Sequence, residues 1–201
     1  MKLFAWSVSV LFHPLLLPLY MLFVTFNSDT IFSGIPDYTQ NMSYLLTLLG
    51  VTLLPLASLP LLKWLGLVGD YQLRHKQDRV FPVLATVIGA FLVFYLSRNL
   101  PFSNIVRELY LIMVILLSGF MIVTMRWKMS MHMTAIGALC AFVFILGMKY
   151  FGEVINLLPL LILIAGVLAF SRLYLKRHTP AQIYAGFIYG VIVVSLLFNK
   201  G

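Results

Sequence analysis

Seven long apolar runs separated by short polar stretches make up most of this chain. They lie near residues 4–26, 43–68, 80–97, 108–125, 133–150, 154–170 and 183–198. Crossing a bilayer core takes about 20 helical residues, with a range of roughly 17–25. Backbone groups in lipid have to be satisfied inside the segment itself, as a helix does. The pattern therefore predicts an all-α, polytopic transmembrane helical bundle with six or seven spans. Composition agrees, since 62% of the 201 residues are hydrophobic and only 10% are charged. A soluble domain needs far more polar surface.

The first run exceeds the roughly 15-residue core of a signal peptide, and no small-residue cleavage site follows it, so it reads as a retained span. The break KYFGEV between the fifth and sixth runs is weak, and fusing those two would give the lower count. No linker or low-complexity tract is visible, and residues 1–201 read as one integral membrane domain. Pro14 and Pro18 in the first run, and Pro55 and Pro60 in the second, predict kinks or breaks. Gly186 and Gly190 have the small-xxx-small spacing that lets helices approach closely. The single Cys140 lies in an apolar run and reads as a buried thiol.

Polar residues carry the functional signal. With seven crossings, loops 69–79, 126–132 and 171–182 share one face with the N-terminus. Ten of the fourteen Lys and Arg residues fall on that face. The positive-inside rule alone produces such a bias. It does not account for His13, His75, His132 and His178, which all lie on or toward the same side. A net charge of +8 carried on short loops between spans suits anionic headgroups or phosphates, not nucleic acid.

Two His on different loops, several Arg and a Ser are the parts that phosphomonoester transfer requires. One neutral imidazole attacks phosphorus and a second protonates the leaving alkoxide. Arg and Lys neutralise charge on the phosphate oxygens. None of the six Asp and Glu forms a ligand cluster with His at metal-binding spacing, so neither metal nor other cofactor is expected. His13, directly before Pro14, reads as satisfying a backbone group in a kinked helix. Asp70 and Asp78 read as partners of nearby basic residues, either of them also placed to orient a His from another loop.

The segment Ser171-Arg172, five residues, His178, three residues, Gln182 resembles the third signature motif of the type 2 phosphatidic acid phosphatase superfamily, with Gln182 where that family has Asp. Met129-Ser130-Met131-His132 resembles the second motif, keeping its Ser and His. Arg74, Lys76, Arg79 and Pro82 form a basic cluster where the first motif falls, without its spacing. The resemblance covers about residues 70–195. It implies a membrane hydrolase that cleaves a lipid phosphomonoester or diphosphate through a phosphohistidine intermediate without a metal. His178 would be the nucleophile and His132 the general acid. Arg172, Arg79, Ser130, Lys76 and Arg74 would bind phosphate, and Gln182 with Ser171 would orient the site. The implied partners are a phosphorylated membrane lipid and the bilayer, with a bacterial inner membrane as the location. Gln182 keeps an acceptor but loses the charge. The alternative reading is therefore an inactive protein of the same fold that binds phosphorylated lipid.

Overall fold

The computed structural model describes residues 1–69, 77–98, 100, 102–150 and 152–198. It is helical, with no strand among the described residues. Six helices are long and apolar enough to cross a bilayer, at 37–64, 80–98, 104–126, 131–150, 153–174 and 180–198. They make the chain an integral membrane protein by length and composition. The count of six arises differently from the fusion anticipated at residues 149–153, because the fifth and sixth runs stay separate. The first run is the one that fails to form a single span.

That run splits into α1 (Lys2–Leu11) and α2 (Leu17–Asn27). Proline chemistry explains the break. Pro14 has no N–H to give the carbonyl of Val10, and its ring crowds that carbonyl in a continuous helix. The N–H of His13 bonds to Val10 O at 3.1 Å instead of reaching Ser9 O. Pro18 then falls in the first turn of α2, where a missing N–H costs nothing. The second run survives its prolines. It comprises α3 (Asp37–Thr47), a π-helical turn at Leu48–Leu53, and α4 (Leu54–Trp64), with Pro55 in the first turn of α4 and Pro60 inside it.

The chain forms two compact units. One contains residues 36–128 and the other residues 1–35 with 129–201. In the 36–128 unit, α5 (Val80–Arg98) packs on α6 (Asn104–Arg126) and on the second run. Gly50 and Gly89 meet there backbone to backbone. The hydroxyl of Tyr110 lies 3.0 Å from Ser43 O and 3.1 Å from Thr47 Oγ1, closing the turn ahead of the π-helical segment. Arg107 donates to Ser97 O and Leu100 O at 3.2 and 3.0 Å and so satisfies carbonyls at the end of α5.

The other unit is built around α7 (Met131–Tyr150), which is apolar on every face, as a central helix has to be. Of its spanning window 72% is buried, against 22% and 28% for the windows of the spans that contain α8 (Leu158–Tyr174) and α9 (Pro180–Phe198). Helices α7 and α9 run side by side in the same direction. Ser130 meets Gly186, Thr134 meets Gly190, and Phe142 packs edge-on against Phe198 at 5.4 Å. Three glycines make this approach possible. A Cβ on Gly186 would lie 2.6 Å from Ser130 O, one on Gly137 would strike Phe187 O, and one on Gly190 would strike Thr134 O and lie 2.8 Å from Ala138 N. The obstacles are backbone atoms, which cannot turn aside. Cys140 is buried on α7.

The Gly190→Ala variant is expected to lower stability by about 1–3 kcal/mol through this clash. A Cβ on Gly166 meets nothing within 4 Å, so Gly166→Ala should leave stability unchanged or raise it by up to about 1 kcal/mol. Thermal unfolding of both variants in detergent checks the pair, and equal melting temperatures would refute the close-packing argument.

Candidate functional site

Parallel α7 and α9, joined by α8 running in the opposite sense, bring three helix ends to one end of this unit. They are the start of α7, the end of α8 and the start of α9. The loop from Ser171 to Gln182 is therefore a compact reversal in which two capping motifs fix every residue of interest.

The first motif ends α8. Lys176 adopts a left-handed conformation with φ 52°. Its N–H bonds to Leu173 O at 2.8 Å, and the N–H of Arg177 bonds to Arg172 O at 3.1 Å. These are the two bonds of a Schellman cap. They fold the five residues between Arg172 and His178 into one tight turn, which returns the chain to Arg172. The second motif starts α9. Thr179 is the N-cap, Pro180 occupies the first helical position, and Gln182 reaches back so that its Oε1 accepts the N–H of Thr179 at 3.2 Å. This is one arm of a capping box, with a proline where its missing N–H is harmless.

The same Oε1 lies 3.1 Å from Nδ1 of His178. An amide N–H can only donate, so the atom facing Thr179 is the oxygen of the Gln182 amide. The ring nitrogen facing that oxygen therefore carries its proton, which leaves the lone pair of the neutral ring on Nε2. His178 itself is buried, only 9% exposed. The carbonyl of Gln182 also accepts the N–H of Ser130 at 3.2 Å, which ties the start of α9 to the start of α7.

Ser130 caps α7, since its carbonyl accepts the N–H of Thr134 at 3.0 Å. Its hydroxyl is fully buried and has no hydrogen-bond partner among the described residues. His132, two residues on, places Nε2 3.1 Å from Ser9 O. That carbonyl is the one released by the α1–α2 break. A carbonyl only accepts, so Nε2 of His132 carries the hydrogen, and Nδ1 is the nitrogen left to take or give a proton. Arg172, His178 and His13 all lie within electrostatic reach of the His132 ring. His13 packs edge-on against it, with ring centroids 5.4 Å apart at 81°.

Two helix N-termini at one end supply partial positive charge. Arg172, Lys176 and Arg177 add full charges. The two acidic residues of this unit, Asp29 and Glu153, stand at the opposite end, where Asp29 O approaches the Gly152 position. The end with the imidazoles is thus electropositive without an internal counter-charge from Asp or Glu of the unit. Among the described residues no three His, Cys, Asp or Glu side chains are arranged to hold a metal ion.

The structure therefore gathers His178, Gln182, Arg172, Ser130 and His132 of the residues singled out in the sequence. Ser171 is buried beside them, but its hydroxyl donates to Val167 O of its own helix at 2.8 Å rather than to the imidazole. Arg79 belongs to the 36–128 unit, in the 3-10 turn before α5. Asp78 of that turn accepts the N–H of Gly69 at 3.1 Å. Arg74 and Lys76, with Asp70 and His75, lie outside the described residues. His13 was missed as a member of the cluster. Its Nδ1 does accept a backbone N–H, that of Leu15 at 3.3 Å, as its position before Pro14 suggested. The sequence held no sign that the ring also meets His132. No protein-family model matches the chain, and neither does any curated protein or solved structure.

A lysine in the left-handed region costs about 1 kcal/mol relative to glycine. Lys176→Gly is expected to raise the melting temperature, and the β-branched Lys176→Val to lower it. Thermal unfolding of the two variants tests whether this reversal is fixed as described, and the opposite order would show that it is not.

Proposed function

We propose that this protein is a membrane phosphatase of the type 2 phosphatidic acid phosphatase kind, acting on a lipid phosphomonoester or diphosphate. The observation that carries the reading is the bond between Gln182 Oε1 and His178 Nδ1, which leaves the lone pair of the neutral ring on Nε2, in a ring that with Arg172 lies within electrostatic reach of His132. In the reaction, the Nε2 lone pair attacks phosphorus and the bond from phosphorus to the leaving alkoxide breaks. His132, protonated on Nδ1, gives that proton to the alkoxide. Water then attacks the phosphohistidine, the phosphorus–nitrogen bond breaks, and Nδ1 of His132 takes the proton back. Arg172, the hydroxyl of Ser130 and the N-terminus of α7 bear the charge on the phosphate oxygens. A polar site at the ends of long apolar helices suits a headgroup phosphate whose tail remains in the bilayer.

One feature favours the second reading, lipid-phosphate binding without turnover. The acceptor behind His178 is a neutral amide, so nothing there offsets the positive charge that the ring acquires on attack. An amide replacing the equivalent carboxylate in a serine protease lowers the rate about 10⁴-fold.

Phosphate release from phosphatidic acid and isoprenoid diphosphates in nanodiscs tests the proposal. Wild type should release phosphate and His178→Ala should not. Gln182→Glu keeps both acceptor bonds and adds the charge, so it should raise turnover at least about tenfold. Equal release by wild type and His178→Ala would refute hydrolysis at this site. Binding without release by wild type and Gln182→Glu would establish the second reading.

A further inference from the structure

His13 is the one imidazole of the cluster that the phosphatase reading leaves without a task. It stands in the α1–α2 break, half-buried, with its ring edge-on to His132. A hydrogen bond also fixes its tautomer. Nδ1 accepts the N–H of Leu15, so Nε2 of the neutral ring carries the hydrogen. Among the described residues nothing accepts a hydrogen bond from that nitrogen.

Breaking an apolar run is costly, because each freed backbone group needs a new partner. The chain meets that need twice with imidazoles at one place. Ser9 O takes the Nε2 hydrogen of His132, and the N–H of Leu15 takes Nδ1 of His13. The break thus orients two rings in different ways. His132 is left with a lone pair on Nδ1 and His13 with a donor on Nε2. A phosphate oxygen next to His132 would have that donor within reach.

We infer that His13 is a phosphate ligand, donating its Nε2–H to an oxygen of the anion held by Arg172, Ser130 and the start of α7. The inference rests on the phosphate reading of this end. It adds a binding residue from the N-terminal segment, outside the residues 70–195 over which the motifs run. It also gives the α1–α2 break a purpose, namely to bring an N–H donor to the ends of α7, α8 and α9.

Two substitutions separate the ring's two nitrogens. Asparagine ends near the position of Nδ1 and can still accept from Leu15, whereas glutamine extends to the position of Nε2 and offers an N–H there. His13→Asn should weaken phosphate binding about tenfold or more, the loss of one hydrogen bond to a charged group, while His13→Gln should stay within about threefold of wild type. Affinity is measured for the full chain in phosphatidylcholine nanodiscs titrated with inorganic phosphate, and in nanodiscs doped with phosphatidic acid. The arm that responds identifies free phosphate or lipid phosphate as the ligand. In wild type with ¹⁵N-labelled histidine, the Nε2–H resonance of His13 should move on phosphate addition, a readout independent of how the variants fold. If the His178 resonances move and that of His13 does not, or if His13→Asn binds like wild type, His13 is not a ligand and the phosphate site stands without it. If no histidine resonance moves in either arm, the phosphate reading fails and this inference falls with it.

Discussion

The approach of α7 to α9 over Gly137, Gly186 and Gly190 is the contact on which the imidazole end of the molecule depends. In a bilayer, apolar side chains gain little by leaving lipid for one another, so close backbone packing has to supply the cohesion. With the glycines in place, the first turn of α9 comes near enough for Gln182 O to receive the N–H of Ser130. The starts of the two helices are then locked in register, and the groups attached to each, Ser130 and His132 on one and His178 and Gln182 on the other, become neighbours. Any side chain at these three positions would separate the backbones and carry the two halves of the cluster apart.

Hydrogen bonding sets the second layer of order. The three imidazoles are not interchangeable, because each is pinned by a partner that can only donate or only accept. Gln182 Oε1 (itself fixed by the backbone N–H of Thr179), the backbone N–H of Leu15 and the carbonyl of Ser9 play those parts. All three backbone groups are helix-end or helix-break atoms, which an apolar medium leaves without water. Making up these deficits and setting the ring tautomers are therefore the same set of bonds.

Much of this was legible in the sequence, for identifiable reasons. Long apolar runs report helices directly, and all the later runs became the helices they suggested. Pro14 and Pro18 signalled a break, though only the structure showed that it divides the first run into two short helices instead of bending one span. The spacing of Gly186 and Gly190 pointed to close packing without naming α7 as the partner, because a glycine motif carries no address. The pattern Thr179-Pro180-Ala181-Gln182 is a readable capping box that explains Gln182 structurally. The turn at Lys176 was not readable, since that position usually holds glycine. His13 escaped for the same kind of reason: one histidine in an apolar run says nothing about which distant ring it meets.

The capping box couples the start of α9 to the ring of His178. Gln182 Oε1 serves the first turn of α9 and the ring of His178 at once. Helix ends fray, and a frayed first turn releases the amide from both bonds together. The ring then loses its preferred tautomer at the moment the helix loses its cap. The population of molecules with the lone pair held on Nε2 therefore follows the population with an intact helix start, which would make a local folding equilibrium of a single turn the gate on the proposed chemistry.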